Sequence, residues 1–240
     1  MSHDAPPARG ARLGRAAGAS GPVPTVSGVV LLLPGVTRWP PGPVRPLARA
    51  LARAGRAEGL VTHTVAYGGE GPREADARWA ADEAVRRYGD VPVCLAGHAA
   101  GGRAALLAAG HGAVNSVLAL APSLDEAAGP DTPEPVKQLS GRQVLIVHGT
   151  NDARSAPEAS LRLAARAKKA NRSTCRFEVH SDGHRLRDHQ AEVVALCVDF
   201  VLGALFTGRY SRPVTDALAA PPPLGLRMPL ASGFGRSLRG

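Results

Sequence analysis

Six short apolar runs constrain the fold of this chain more than any other feature. They are "GVVLLLP" (28–34), "LVTHTVAY" (60–67), "VPVCLAG" (91–97), "VNSVLALAP" (114–122), "QVLIVHG" (143–149) and "TCRFEVH" (174–180). Each is too short for a helix that must bury a stripe, and most are unbroken Val/Leu/Ile, the pattern of parallel strands covered on both faces. The stretches between them read as helices: 44–55 with Leu47 and Leu51 on one side, 73–89 with acids early and arginines late, 156–171 opened by Pro157, and the very apolar 188–206. Only a short helical piece near "PEPVKQLSG" separates the fourth run from the fifth. Strands alternating with helices define an α/β fold, a doubly wound, mostly parallel six-stranded sheet with right-handed crossovers and helices on both faces. In such a sheet the ligand crevice lies beyond the carboxyl ends of the strands.

The 240 residues divide into a disordered arm (1–27), one domain (28–206) and an irregular tail (207–240). A net charge of +9 raises the question of nucleic acid, but much of it sits outside the domain. The arm holds Arg9, Arg12 and Arg15 against Asp4, and the tail Arg209, Arg212, Arg227, Arg236 and Arg239 against Asp216. A nucleic-acid surface would carry its charge on a folded face with stacking aromatics between, and only 4% of the residues are aromatic. The expectation is therefore no nucleic acid. The first apolar run, "VVLLLPGV", is only eight residues long and too short to span a membrane, so no membrane is expected either. Cys94, Cys175 and Cys197 form no CxxC pair and no metal spacing, which suits reduced, buried thiols in a cytoplasmic protein. No dinucleotide, phosphate-loop or zinc motif appears, so no cofactor and no metal is expected. The Ala, Arg, Gly and Pro excess suggests a bacterial source of high GC content.

Three strand ends carry chemistry. The third run leads into Gly97-His98-Ala99-Ala100-Gly101-Gly102 and then directly into an alanine-rich helix. This is the layout of a nucleophile elbow, G-x-S-x-G, in which glycines relieve crowding at a sharp strand-to-helix turn. Here the central residue is Ala99. A plain tight turn with two glycines is the alternative. The fifth run ends "VLIVHGTND", which places Asp152 in a loop before a helix. The sixth ends "FEVHSDGHRL", which places His184 after a glycine and ahead of the last long helix.

Elbow, acid, histidine is the chain order of the α/β-hydrolase triad. On "AGHAAGG", "VLIVHGTND" and "DGH" the sequence resembles the α/β-hydrolase family over residues 28–206. The likeness is to compact, lidless bacterial members of the dienelactone-hydrolase-like or serine-aminopeptidase-like kind. The resemblance implies that Asp152 orients His184, that His184 acts as general base, and that Ala99 stands where the nucleophilic serine would be. It also implies an oxyanion hole from the Val36 and Ala100 amides, with Trp39 lining the pocket. Asp125, after the fourth run, is the second candidate acid. With about twenty residues joining the fourth and fifth runs there is no large cap domain, and the ligand expected is a small acyl or ester-like molecule.

A methyl group cannot attack a carbonyl. Loss of a catalytic serine removes on the order of 10⁶-fold in turnover, so the resemblance implies a very weak esterase-like hydrolase at most. The open alternatives are a disabled hydrolase, a pseudoenzyme that binds a ligand or partner, and general-base chemistry by His184 and Asp152 without a nucleophile.

Overall fold

The computed structural model describes residues 10–19, 25–35, 43–69, 71–124 and 133–236. Six parallel strands form the body of one sheet: β3 (Gly28–Leu33), β4 (Leu60–Ala66), β5 (Val93–His98), β6 (Val114–Leu120), β7 (Gln143–Gly149) and β8 (Thr174–Val179). They lie in the order β4-β3-β5-β6-β7-β8. The chain runs from β3 outward to β4 and then returns to the other side of β3 as β5. The order therefore reverses at the β3/β5 boundary, where an open sheet leaves a crevice beyond its carboxyl ends.

The helices pack on both faces. On one side α2 (Arg73–Tyr88), α3 (Ala100–Ala108) and α4 (Pro157–Ala170) enclose Leu31, Leu33, Leu95, Val117 and Ile146. These helices present Ala77, Ala80, Ala81, Ala84, Ala105, Ala108 and Ala164 to the sheet, so short side chains bring helix and strand backbones close. On the other side α1 (Val44–Ala54), α5 (Gln190–Leu202) and α6 (Arg212–Ala219) enclose Val30, Leu32, Leu118, Val147 and Phe177. Gln190–Thr207, comprising α5 and the π turn after it, is long and apolar enough to cross a membrane by composition. Here it buries Val193, Leu196, Cys197, Phe200 and Val201 against the sheet. All three cysteines are free and buried, and burial pushes the Cys94 and Cys175 thiols up to about 12.

The segments flanking residues 28–206 depart from expectation. Within the arm, β1 (Arg12–Leu13) and β2 (Ala17–Gly18) pair antiparallel with β4. An uncovered edge strand presents a row of unpaired backbone groups, and this short ribbon satisfies them. In the tail, α6 buries Val214 and Ala217, and β9 (Met228–Pro229) adds to the far edge beside β8. The buried Lys168 ammonium donates to the carbonyls of Thr174, Ala217 and Leu218 and so ties α6 to the domain. Among the described residues the sheet thus has nine strands rather than six, the three extra ones being two residues each. Two-residue strands and a helix with two buried residues leave no hydrophobic period to read.

Candidate active site

Ala99 follows β5 directly and adopts φ 54°, ψ −123°. A β-carbon is strained in that region, at a cost of about 1–3 kcal/mol. Its backbone is locked on three sides: its N–H donates to Leu120 O (3.0 Å), and its carbonyl accepts from Ser123 N and Arg103 N (each 3.1 Å). The flanking glycines are there because the backbone is crowded. A β-carbon on Gly97 would lie 2.1 Å from Gly101 O, and one on Gly101 would lie 2.1 Å from Leu33 O. The turn is therefore an elbow in shape, with a methyl at its apex.

Strain is not spread over the molecule. Among the described residues the non-glycines with positive φ are Ala99, Ala121, Ser181 and Leu186. All follow the carboxyl ends of β5, β6 or β8, so the unfavourable backbone is gathered around one end of the sheet.

Asp152 and His184 meet at that end. His184 Nδ1 lies 2.8 Å from Asp152 Oδ2, and the carboxylate is buried. The close approach of the two loops requires Gly149, where a β-carbon would fall 2.4 Å from Asp182 O. Burial acts against the charged form of Asp152, but hydrogen bonds from His148, His184 and the Ser155 and Arg154 amides outweigh it and hold the carboxyl well below the usual range. Oδ1 takes the two amides, at 3.0 and 2.8 Å. An ionised acceptor facing Nδ1 places the imidazole proton there, leaving Nε2 as the basic atom.

His98, just before the apex, is buried and donates from Nε2 to the His184 carbonyl (2.7 Å), with the two rings 5.0 Å apart. Burial pushes its pKa down to about 4. Ala100 opens α3, so its N–H is one of the free donors at a helix N-terminus. Ser123 and Ser155 are also buried near the elbow and the acid, their hydroxyls 3.3 Å apart.

The structure thus brings Asp152 and His184 together, and places Ala99, Ala100, Gly97 and Gly101 in an elbow after the neighbouring strand. Val36, Trp39 and Asp125 lie outside the described residues. No His/Cys/Asp/Glu group suited to a metal ion occurs among the described residues. A groove of about 740 Å³ between α1 and α5, lined by Ala50, Val194, Val198 and Leu202 among others, contains none of the Asp152 or elbow residues.

Sequence reasoning missed Asp182 and His148. Asp182, inside "SDGH", accepts from the amides of Gly183, Arg187 and His189 and so shapes the loop that carries His184. An aspartate followed by a glycine is a turn former, and that was the available signal. His148, inside "VLIVHGTND", contacts the same Asp152 oxygen as His184.

No protein-family model matches the chain, and a search of curated proteins finds no relative. Solved structures are similar in fold. Est1E from Butyrivibrio proteoclasticus aligns at 16% identity and TM-score 0.62, covering 81% of this chain and 98% of that one. The Pyrococcus furiosus esterase Pf2001 aligns at 13% and 0.63, covering 75% and 84%. XC6422 from Xanthomonas campestris, an α/β serine hydrolase without a lid, aligns at 15% and 0.60, covering 80% and 88%. The chain has the α/β-hydrolase fold.

Proposed function

We propose that this protein is a serine-less relative of the lidless ester hydrolases, whose strand-end site binds a small acyl or ester-like molecule and turns it over very poorly. The observation that supports this most is the concentration of strained backbone on Ala99 and its neighbours. Alanine is not a residue that favours φ 54°, and strain of this kind persists where the surroundings hold a site in shape. In this reading Ala99 occupies the nucleophile position, Ala100 N–H faces the developing oxyanion, the family resemblance assigns the second donor to Val36, and Asp152 orients His184. Without a nucleophile, only binding and oxyanion stabilisation remain, about 10³–10⁴-fold over water.

A second reading is favoured by the intact His184–Asp152 contact. Nε2 of His184 would act as general base on a water or an acidic C–H of the bound molecule. The two readings separate in one experiment: hydrolysis of short-chain chromogenic esters and of methyl ferulate by the protein, by Ala99→Ser and by His184→Ala. Ferulate is chosen because Est1E has been solved with ferulic acid bound. Turnover by Ala99→Ser alone supports the first reading. A slow rate in the parent that His184→Ala abolishes supports the second. If folded Ala99→Ser turns over nothing and no ester or acid raises Tm, both fail. The protein is further expected to be cytoplasmic and to bind neither nucleic acid nor membrane, and salt-dependent DNA binding would overturn that.

A further inference from the structure

Asp152 takes hydrogen bonds from two histidines at one oxygen. His148, near the end of β7 and completely buried, directs Nε2 at Asp152 Oδ2 and at the Ser155 carbonyl, each 3.1 Å away. Both neighbours are acceptors, so Nε2 carries a proton. Across the ring, Nδ1 lies 2.9 Å from Ser160 Oγ on α4. That hydroxyl in turn accepts from Arg176 Nε on β8 at 2.9 Å.

Arg176 ends the chain on the far side of Ser160. Its guanidinium is fully buried and also donates to Glu178 Oε1 (2.7 Å), Leu226 O (2.9 Å) and Pro157 O (3.2 Å). A guanidinium only donates. Arg176 therefore donates to the Ser160 oxygen and, beside Ser160, to the Pro157 carbonyl, which has a lone pair for each. With Nε2 protonated, Nδ1 of a neutral His148 is an acceptor facing Ser160 Oγ, whose one hydrogen lies between Nδ1 (2.9 Å) and Pro157 O (2.8 Å). Nε2 donates onward to Asp152.

We propose that His148 is a positioning residue for His184, acting through Asp152. Asp152 Oδ1 is tied by two backbone amides, and His148 occupies one side of Oδ2 in a fixed donor sense. The remaining lone pair of Oδ2 points at His184 Nδ1, which keeps the proton on Nδ1 and Nε2 bare. The inference rests on the reading of His184 as the site's base, but its central readout does not need activity.

That readout is the tautomer of each histidine, from long-range ¹H–¹⁵N spectra of the labelled full chain. The unmodified protein shows His184 protonated on Nδ1 and His148 on Nε2. His148→Phe removes the donor, and His184 becomes a mixture of tautomers. His148→Gln keeps an N–H at the same reach and restores the single form. If His148→Phe does not fold, His148→Leu is the substitute and is read in the same way. A single, unchanged His184 tautomer in either folded variant overturns the proposal. In an Ala99→Ser background, His148→Phe is expected to lower kcat roughly tenfold or more at constant KM, with Gln recovering it. If Ala99→Ser is itself inactive, the functional reading fails and the tautomers alone decide the role of His148.

Discussion

The molecule buries histidines in two polar clusters, and they are built in opposite ways. At the strand ends, His148 and His184 share the ionised Asp152, with the Arg176 guanidinium behind Ser160. At the β4 edge, His63 is equally buried but its partners are neutral: Nδ1 donates to Gly14 O (2.8 Å) and Nε2 accepts from the Tyr88 hydroxyl (2.6 Å). The first cluster contains full charges whose every partner matters, because one left unpaired in the interior is severely penalised. The second is a clamp that holds residues 10–19 onto the edge strand and holds no formal charge. The difference teaches where a substitution should do chemistry and where it should only loosen a contact.

Four measurements would break or sharpen that contrast. The largest effect is expected on activity: in an Ala99→Ser background, Asp152→Asn should cut kcat by up to roughly 10⁴-fold, whereas Tyr88→Phe should leave kcat unchanged. Comparable losses from both would erase the distinction. Next comes stability. Arg176→Met leaves Glu178 with only the more distant Arg227 (3.4 Å) and strips Ser160 of its donor, at an expected cost of about 3–5 kcal/mol by urea unfolding. Tyr88→Phe should cost only about 1–2 kcal/mol, the penalty for one buried acceptor left without its donor.

The smallest effect is the response to acid, and its sign differs between the clusters. Burial lowers the pKa of His63, against the weaker opposing effect of its bond to Gly14. Its contribution is therefore complete above about 6.5, the unfolded value, and is lost as pH falls below that. Asp152 is held below the ordinary carboxylate value of 3.8. Its contribution persists down to about that pH and is lost only in stronger acid. Between these limits the β4 edge should loosen while the strand-end cluster holds. Hydrogen exchange at the Gly14 and Ala19 amides, which donate to Thr64 O and Leu60 O, would show lost protection between pH 6 and 4. His98 titrates in the same window, so loosening confined to its loop instead would contradict the assignment to His63.

The clusters also mark the boundary of what the sequence reveals. The six core strands were legible because each is a continuous apolar run, whereas the reversal at β3/β5 was not, since chain order alone does not fix which strands lie side by side. Asp152 and His184 were legible because each follows a strand at a glycine-bearing turn. The chain behind Asp152 was not: His148, Ser160 and Arg176 stand on β7, α4 and β8, and only the packing of α4 over the sheet brings them together. The His63 clamp escaped for a related reason. Its partners are a backbone carbonyl 49 residues away and a tyrosine whose hydroxyl carries no periodic signal.

The geometry of the elbow has a consequence in the genetic code. Every alanine codon becomes a serine codon by one substitution at its first base, G to T. Because Ala99 already sits in the strained conformation that the turn imposes, such a change adds one oxygen to a backbone that need not move. In mutational distance, a serine at the apex of this turn is one base change away from the alanine that stands there.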